Sequence, residues 1–231
     1  MPTTLGYGHG LCPPFAWDDS KTYDRGKLIS YEDLEAGKTF GRYLDVDGDG
    51  IPYRTYPGTH RTKGSFFTRG TSRDRYARYT EEGAPYVDNM QRLIRKFETA
   101  KDLVPRPLIA NAGKPTNYGV IYYGSTSPAM DEAIHMIEAR GHALDRMRVR
   151  AFPFHSSVTS FVAEHDFVFV VEQNRDAQLR SLIVNECSID PVRLVPILHY
   201  DGTPITARFI ARAIGDHIDT LKVTPLRKLV S

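Results

Sequence analysis

The chain has 231 residues, of which 41% are hydrophobic and 25% charged, with a formal net charge of +2. These proportions are typical of a soluble globular protein, and the near-balanced charge gives the whole chain no strong attraction for polyanions such as nucleic acid. Two cysteines, Cys12 and Cys187, are too few for a disulfide framework or an iron–sulfur cluster. Each is expected to be a lone reduced thiol, which fits a cytoplasmic protein. The longest apolar run, Phe167–Val171, is far too short to cross a bilayer, so we expect no membrane partner.

The first 110 residues are rich in Gly, Pro, Tyr and Arg and poor in apolar residues. Residues 48–83 show no sustained period of 2 or 3.6, which predicts an irregular, extended arm. The exception is 85–103, where apolar residues recur at helical spacing and predict one helix. Such an arm buries too little apolar area to offset its ordering entropy, so we expect it to lie against a partner. Residues 111–115 then have the composition of a linker.

Residues 116–218 alternate between strand-like and helix-like segments, and 219–231 form a tail. Strict alternation predicts an α/β fold, with a four-stranded, mainly parallel sheet and helices on both faces. The predicted strands are 117–123, 147–152, 167–171 and 192–198, and the predicted helices are 129–140, 156–164, 176–185 and 204–217.

An acidic segment in the first half resembles part of a calcium-binding loop. Asp45, Asp47 and Asp49 have the spacing of the first three EF-hand ligands. The position of the essential bidentate carboxylate is held by Tyr56, and prolines follow where a helix should run. We therefore disfavour a metal site and interpret the segment as a tight acidic turn.

Basic and aromatic residues are interleaved between Tyr53 and Tyr79, with seven Arg or Lys residues against one acid. This pattern suits a segment that docks on a protein partner, because Arg and Tyr are favoured interface anchors. Nucleic acid and a phosphate-bearing cofactor such as coenzyme A are the alternatives, and we favour a protein partner over both. The candidate partner-arm residues are Arg54, Arg61, Arg69, Arg73 and Tyr76.

Two polar segments follow predicted strands and are candidates for cofactor binding. Gly124, Ser125 and Thr126 stand between a strand and a helix, where backbone N–H groups can bind an anion. Asn174 and Arg175 follow the most apolar strand, at the sheet edge where ligands bind in α/β proteins. Neither segment has a glycine-rich nucleotide fingerprint, so helix capping and a structural polar turn remain as alternatives.

Several short motifs, in this order along residues 11–215, resemble the alpha subunit of the 2-oxoacid:ferredoxin (acceptor) oxidoreductases. They are Trp17-Asp-Asp-Ser, Asp24-Arg-Gly-Lys, Phe40-Gly-Arg-Tyr-Leu, Asp47-Gly-Asp-Gly-Ile-Pro-Tyr-Arg, Pro57-Gly-Thr, Phe67-Thr-Arg-Gly, Tyr123-Gly-Ser-Thr, Val171-Glu-Gln-Asn-Arg-Asp-Ala-Gln-Leu, His199-Tyr-Asp-Gly and Pro204-Ile-Thr.

The resemblance implies a place in a larger assembly. Residues 11–110 would be the end of a pyrimidine-binding domain with its arm, and 116–218 a domain like the C-terminal domain of transketolases. Thiamine diphosphate, magnesium, an iron–sulfur cluster and coenzyme A would belong to the full complex, and none of them to this chain alone. The implied partners are the thiamine-binding beta subunit, an N-terminal or gamma portion and the acceptor ferredoxin.

The resemblance also implies that this chain is inactive alone. The family's Tyr-Pro-Ile-Thr-Pro-Ser segment and its substrate-binding threonine and arginine lie upstream of the matching region, so no catalytic residue is carried over. We expect residues 1–10, which match nothing in the family, to be a tag, a cloning remnant or an altered start. The expected role is subunit assembly, with 2-oxoglutarate slightly favoured over pyruvate because of the Asp-Gly-Asp-Gly-Ile segment. A non-enzymatic nucleotide- or coenzyme A-binding module is the alternative.

Overall fold

The computed structural model describes residue 14 and residues 16–223, with side chains as far as residue 221. It has an N-terminal unit that ends at Leu103 and a C-terminal unit that begins at Val104. The segment predicted as a linker, 111–115, therefore lies inside the C-terminal unit. The unmatched stretch 1–10 and the last eight residues of the predicted tail lie outside the described residues.

The C-terminal unit is built on a five-stranded sheet in the order β1-β3-β2-β4-β5. β1 is antiparallel to β3, and every other neighbouring pair is parallel. The predicted α/β fold class is confirmed, but the predicted number of strands was one too low because β1 has only three residues. The strands are β1 Leu108–Ala110, β2 Tyr118–Tyr123, β3 Asp145–Val149, β4 Phe167–Glu172 and β5 Leu194–Leu198.

Four helices cover the two faces of this sheet. They are α3 Ser127–Ala139, α4 Ser157–Ala163, α5 Gln178–Cys187 and α6 Ala207–Val223. On one face α3 and α6 pack on Phe169 and Val171, and on the other α4 and α5 pack on Val168 and Val170. Because successive side chains of a strand point to opposite faces, the apolar run of β4 serves both layers of the core. α6 runs six residues beyond its predicted end, so the first part of the predicted tail is helical.

Helix α3 shows how the local sequence sets an element's bounds. It begins with Pro128 in its first turn, where a missing N–H costs nothing. It ends before Gly141, whose φ of +84° places it in the left-handed region, where glycine carries no Cβ penalty. Arg140 then donates to Asp216 at 3.0 Å and to Asp219 at 2.6 Å, which joins the end of α3 to α6.

The N-terminal unit contains two helices, α1 Tyr31–Glu35 and α2 Gly83–Leu103, joined by long loops. Ser30 forms a capping box with Asp33 at the start of α1. Few apolar side chains are buried here, and polar contacts hold the loops on α2. Arg92 Nη1 donates to Gly50 O at 3.1 Å, and Thr99 Oγ1 donates to Asp49 O at 2.7 Å. The loops are irregular, as predicted, and together with α2 they form one compact unit.

Candidate functional site

The sheet of the C-terminal unit has a topological switch point between β2 and β4. After β2 the chain crosses to β3 on one side, and it then returns to β4 on the other side of β2. In open α/β sheets the crevice at the carboxyl ends of two such strands is the usual ligand site. The predicted cofactor residues follow these two strands, so the topology brings the segments 124–126 and 173–175 to one crevice.

Gln173 connects the two sides of this crevice. Its Nε2 donates to Ser125 Oγ at 3.0 Å and lies 3.2 Å from Thr126 Oγ1. Gly124, with a φ of +56°, is the first residue of a short 3-10 helix, Gly124–Thr126, which carries these hydroxyls. The structure thus connects Ser125 and Thr126 to the segment after β4, through a residue that was not among the candidates. A glutamine directly after a buried strand was the available signal.

Glu172, also absent from the candidates, has a fully buried carboxylate at the end of β4. It accepts hydrogen bonds from Leu179 N at 2.7 Å and Arg180 N at 3.0 Å, in the first turn of α5. These N–H groups would otherwise have no intrahelical partner, and the helix dipole favours a negative charge there. The carboxylate therefore occupies the place where an external anion would bind at α5.

Asn174 and Arg175 have local structural contacts. Asn174 Nδ2 donates to Glu172 Oε2 at 2.8 Å, and its Oδ1 accepts from Asp176 N and Gln178 N. Arg175 is exposed and donates to Asp176 at 2.7 Å, and this hydrogen bond raises the pKa of its guanidinium. For Asn174 the geometry fits the structural polar turn that the sequence left open.

Tyr123 adds a half-exposed phenol at the end of β2. Burial raises its pKa, and the negative charge of Glu172 raises it further, while a hydrogen bond with Asn174 acts in the opposite sense. The phenol therefore stays protonated at neutral pH and can form hydrogen bonds, but it cannot act as a general base. Tyr123 thus adds one further hydrogen-bonding group at the end of β2.

The acidic segment 45–49 of the N-terminal unit is paired with cations of its own chain. Lys27 Nζ lies 2.6 Å from both Asp47 and Asp49, and Arg95 lies 3.2 Å from Asp45. Burial raises the pKa of Asp49, but the Lys27 hydrogen bond and its charge bring it below its ordinary value. Within the described residues, no three His, Cys, Asp or Glu side chains are grouped so that they could hold a metal ion.

The candidate partner-arm residues lie in the loops before α2. Arg54 stacks on Tyr56 and Arg69 on Tyr79, with 5.5 and 5.8 Å from guanidinium carbon to ring centroid. Arg61 and Tyr76 are exposed. Arg73 is instead held inside the unit, where it donates to Gly70 O at 2.8 Å and to Tyr43 Oη at 3.2 Å.

Helix α2 has an inverted pattern of burial. Its polar residues Asn89 and Arg92 are buried, whereas Tyr86, Met90 and Ile94 are exposed. The three exposed residues are spaced by four and lie along one side of the helix, next to the side that carries the two polar ones. The periodicity predicted the helix correctly, but the apolar face is not buried within its unit. Contiguous exposed apolar residues of this kind are typical of interaction surfaces.

None of the helices in the described part of the chain is long and apolar enough to span a membrane. No protein-family model matches the sequence, and no curated protein matches it.

Solved structures are similar to this chain in fold. A 2-oxoglutarate:ferredoxin oxidoreductase from Magnetococcus marinus, with 2-oxoglutarate, coenzyme A and succinyl-CoA bound, aligns with a TM-score of 0.68 and 22% identity. The alignment covers 80% of this chain and 32% of the Magnetococcus chain, so this chain spans about a third of that protein's length.

Two further structures align over 49% of this chain. One is a split-gene transketolase, an inactive beta4 tetramer, with 17% identity, 42% of its own chain covered and a TM-score of 0.41. The other is the alpha chain of a probable 2-oxoacid ferredoxin oxidoreductase from Thermoplasma acidophilum, with 21% identity, 97% of its chain covered and a TM-score of 0.34.

Proposed function

We propose that this chain is the C-terminal part of the alpha subunit of a thiamine-diphosphate-dependent 2-oxoacid:ferredoxin oxidoreductase, and that it serves assembly rather than catalysis. The observation that carries the proposal is the extent of the similarity to the Magnetococcus enzyme, which covers 80% of this chain. The C-terminal unit, from Val104 on, makes up little more than half of the chain. The similarity therefore includes much of the irregular N-terminal unit, which a general likeness among α/β domains would not.

The assembly role is supported by the surface of the N-terminal unit. Tyr86, Met90 and Ile94 form an exposed apolar stripe on α2, and Phe67 and Tyr76 are exposed on the preceding loops. Aromatic residues near arginines are typical anchors of protein interfaces. We propose the beta subunit and the upstream portion of the alpha subunit as the partners of these surfaces.

The substrate would be a 2-oxoacid, with 2-oxoglutarate favoured over pyruvate, and ferredoxin would accept the electrons. We propose that this chain alone holds none of the cofactors of such a complex. No group of metal-ligating side chains is present among the described residues, and Glu172 already occupies the N-terminus of α5. Thiamine diphosphate, magnesium, the iron–sulfur cluster and the main coenzyme A contacts would therefore be held by other parts of the assembly.

A second candidate function is a non-enzymatic module that binds a nucleotide or coenzyme A. The crevice between β2 and β4, with Ser125 and Thr126 on one side and Gln173 on the other, favours it. This function needs no partner subunit. It predicts that the chain alone binds such a ligand and that Gln173→Ala weakens the binding.

The two functions are separated by mixing the purified chain with the beta subunit and following complex formation by size-exclusion chromatography. Assembly predicts a stable complex that is weakened by Ile94→Asp, on the exposed stripe, and not by Glu164→Gln, an exposed change in the C-terminal unit. Absence of a complex, together with saturable binding of coenzyme A or ATP by the chain alone, would favour the second function.

A further inference from the structure

A cavity of about 250 Å³ lies within the N-terminal unit, between α2 and the loop 71–73. Its lining combines apolar groups of Tyr86, Met90 and Leu93 with polar groups of Ser72, Arg73 and Arg92. Its size is slightly below the range of ordinary small-molecule sites, which suits a ligand of only a few heavy atoms.

Ser72 is the first sign that this cavity has an occupant. Its Oγ is buried and has no hydrogen-bond partner among the described residues. A buried hydroxyl without a partner loses its contact with water and gains nothing in exchange. A ligand oxygen in the cavity would supply the missing partner.

The two guanidinium groups in the lining are held in place by the fold. Asn89, itself buried, donates from Nδ2 to Arg73 O at 2.6 Å and accepts from Arg92 Nε at 3.4 Å. Both guanidinium carbons lie within 5.7 Å of the centroid of the Tyr43 ring. Arg92 is only 5% exposed, which is unusual for a charged side chain.

These positive charges are not balanced by carboxylates in the lining, which contains no acidic residue. Arg92 also lines an adjoining cavity of about 400 Å³ together with two acids, Asp45 and Asp88, which have other partners. Asp45 pairs with Arg95 at 3.2 Å, and Asp88 pairs with Arg75 at 3.1 Å.

Within the described part of the chain, neither Arg73 nor Arg92 forms an ion pair, since their guanidinium groups donate only to uncharged oxygens. Burial lowers the pKa of Arg92, and the nearby Arg42 lowers it further, while the negative charge of Asp45 acts in the opposite sense without offsetting them.

We infer that this cavity is a binding site for a small oxyanion, a carboxylate or a phosphate, held by Arg73 and Arg92 with Ser72 Oγ as a further donor. Guanidinium groups match the planar geometry of carboxylate and phosphate oxygens. The apolar lining from Met90 and Leu93 leaves room for a short hydrocarbon part of the ligand. This inference rests on the N-terminal unit alone and does not depend on the proposed oxidoreductase function.

The test is isothermal titration calorimetry on the full chain, with inorganic phosphate and butyrate as probes at fixed ionic strength, so that salt screening is not mistaken for binding. We expect saturable binding of at least one probe at one site per chain. Arg73→Gln should weaken it by about tenfold or more, because a charge-assisted pair is lost. Arg106→Gln, a change of an exposed arginine in the other unit, should leave the affinity unchanged.

Ser72→Ala separates binding from folding. Removal of an unpartnered buried hydroxyl should keep or raise the melting temperature of the ligand-free chain, while it weakens probe binding by about 3- to 10-fold. The inference is overturned if neither probe binds saturably, or if both Arg73→Gln and Ser72→Ala bind as tightly as the unaltered chain. If only phosphate binds, the inference holds and the ligand is a phosphate. If only butyrate binds, the inference holds and the ligand is a carboxylate.

Discussion

Glu172 Oε2 lies 2.7 Å from the backbone nitrogen of Leu179, so the end of a central strand caps a helix that begins six residues later. Ala177, directly before α5, has a φ of +48° and gives no side-chain cap. The buried carboxylate thus replaces the Ser, Thr, Asp or Asn that usually begins a helix.

We expect Glu172→Gln to lower the free energy of unfolding by about 1–3 kcal/mol, because hydrogen bonds to a charged acceptor are lost and an amide N–H₂ faces backbone N–H groups. Urea unfolding followed by circular dichroism measures the change. Glu164→Gln, an exposed change at the end of α4, should stay within about 0.5 kcal/mol of the unaltered chain. Equal effects of the two substitutions would contradict the assigned role of Glu172.

Two glycines of the Asp47–Ile51 segment should differ in their tolerance of alanine. Both have positive φ, +80° at Gly48 and +77° at Gly50, so each substitution carries about 1 kcal/mol or more of backbone strain. A Cβ at Gly50 would lie 2.3 Å from Lys96 N and 2.6 Å from Arg92 O, whereas a Cβ at Gly48 meets no atom within 4 Å. We expect Gly50→Ala to cost about 2–3 kcal/mol more than Gly48→Ala in urea unfolding, since backbone atoms of α2 cannot move aside. A similar cost at both positions would show that this loop does not pack on α2.

The cluster of Lys27 with Asp47 and Asp49 should make stability fall in acid. In the folded chain the pKa of Asp49 is below its ordinary value of 3.8. Its contribution to the free energy of unfolding is therefore fully present above pH 3.8 and is lost as the pH falls through the pKa of the folded chain. The pKa of Lys27 is raised above its ordinary value of 10.5. Its contribution to the free energy of unfolding is therefore fully present below pH 10.5 and is lost only at higher pH. We expect Asp49→Asn to reduce the loss of stability below about pH 4, measured by urea unfolding at a series of pH values. Asp19→Asn, at an exposed site of the same unit, is the control, and an unchanged pH profile for Asp49→Asn would refute the pairing.

Calcium should not stabilise the chain. Asp45, Asp47 and Asp49 already pair with Arg95 and Lys27, so a cation would have to displace both side chains. We expect the melting temperature to stay the same with calcium added to about 1 mM, the range in which weak sites fill. A melting temperature that rises and saturates with calcium would mean that the segment is a metal site after all.

The periodic part of the sequence was sufficient to predict the parallel sheet. Strands that are buried on both faces, such as β4, carry a continuous apolar run. Such a run can be recognised from the sequence without knowledge of the tertiary structure. β1 was missed because three residues between loops have no measurable period, and only pairing with β3, as at Leu108 with Arg148, makes them a strand. The spacing predicted α2 as a helix, but burial of Asn89 and Arg92 instead of its apolar stripe depends on the loops that cover it.

The sequence indicated two polar segments at the ends of predicted strands, but not that they lie next to each other. Segments 124–126 and 173–175 lie side by side because β2 and β4 are neighbours, and alternation of elements alone does not set that strand order. Glu172 and Gln173 were missed since their partners, Leu179 N and the hydroxyl of Ser125, are set by three-dimensional contacts. A charged residue directly after an apolar strand, and before a helix without a capping side chain, is a signal that could have identified Glu172.

The most direct test of the proposed function is reconstitution of activity. The chain is co-expressed with the upstream portion of the alpha subunit and the beta subunit, and reduction of a viologen dye is followed with 2-oxoglutarate or pyruvate, coenzyme A, thiamine diphosphate and magnesium. We predict turnover only when all three parts are present, because the proposed function assigns the groups that bind and orient the substrate and cofactor to the other parts. Turnover by the chain alone, or equal turnover of the other parts without it, would contradict the account.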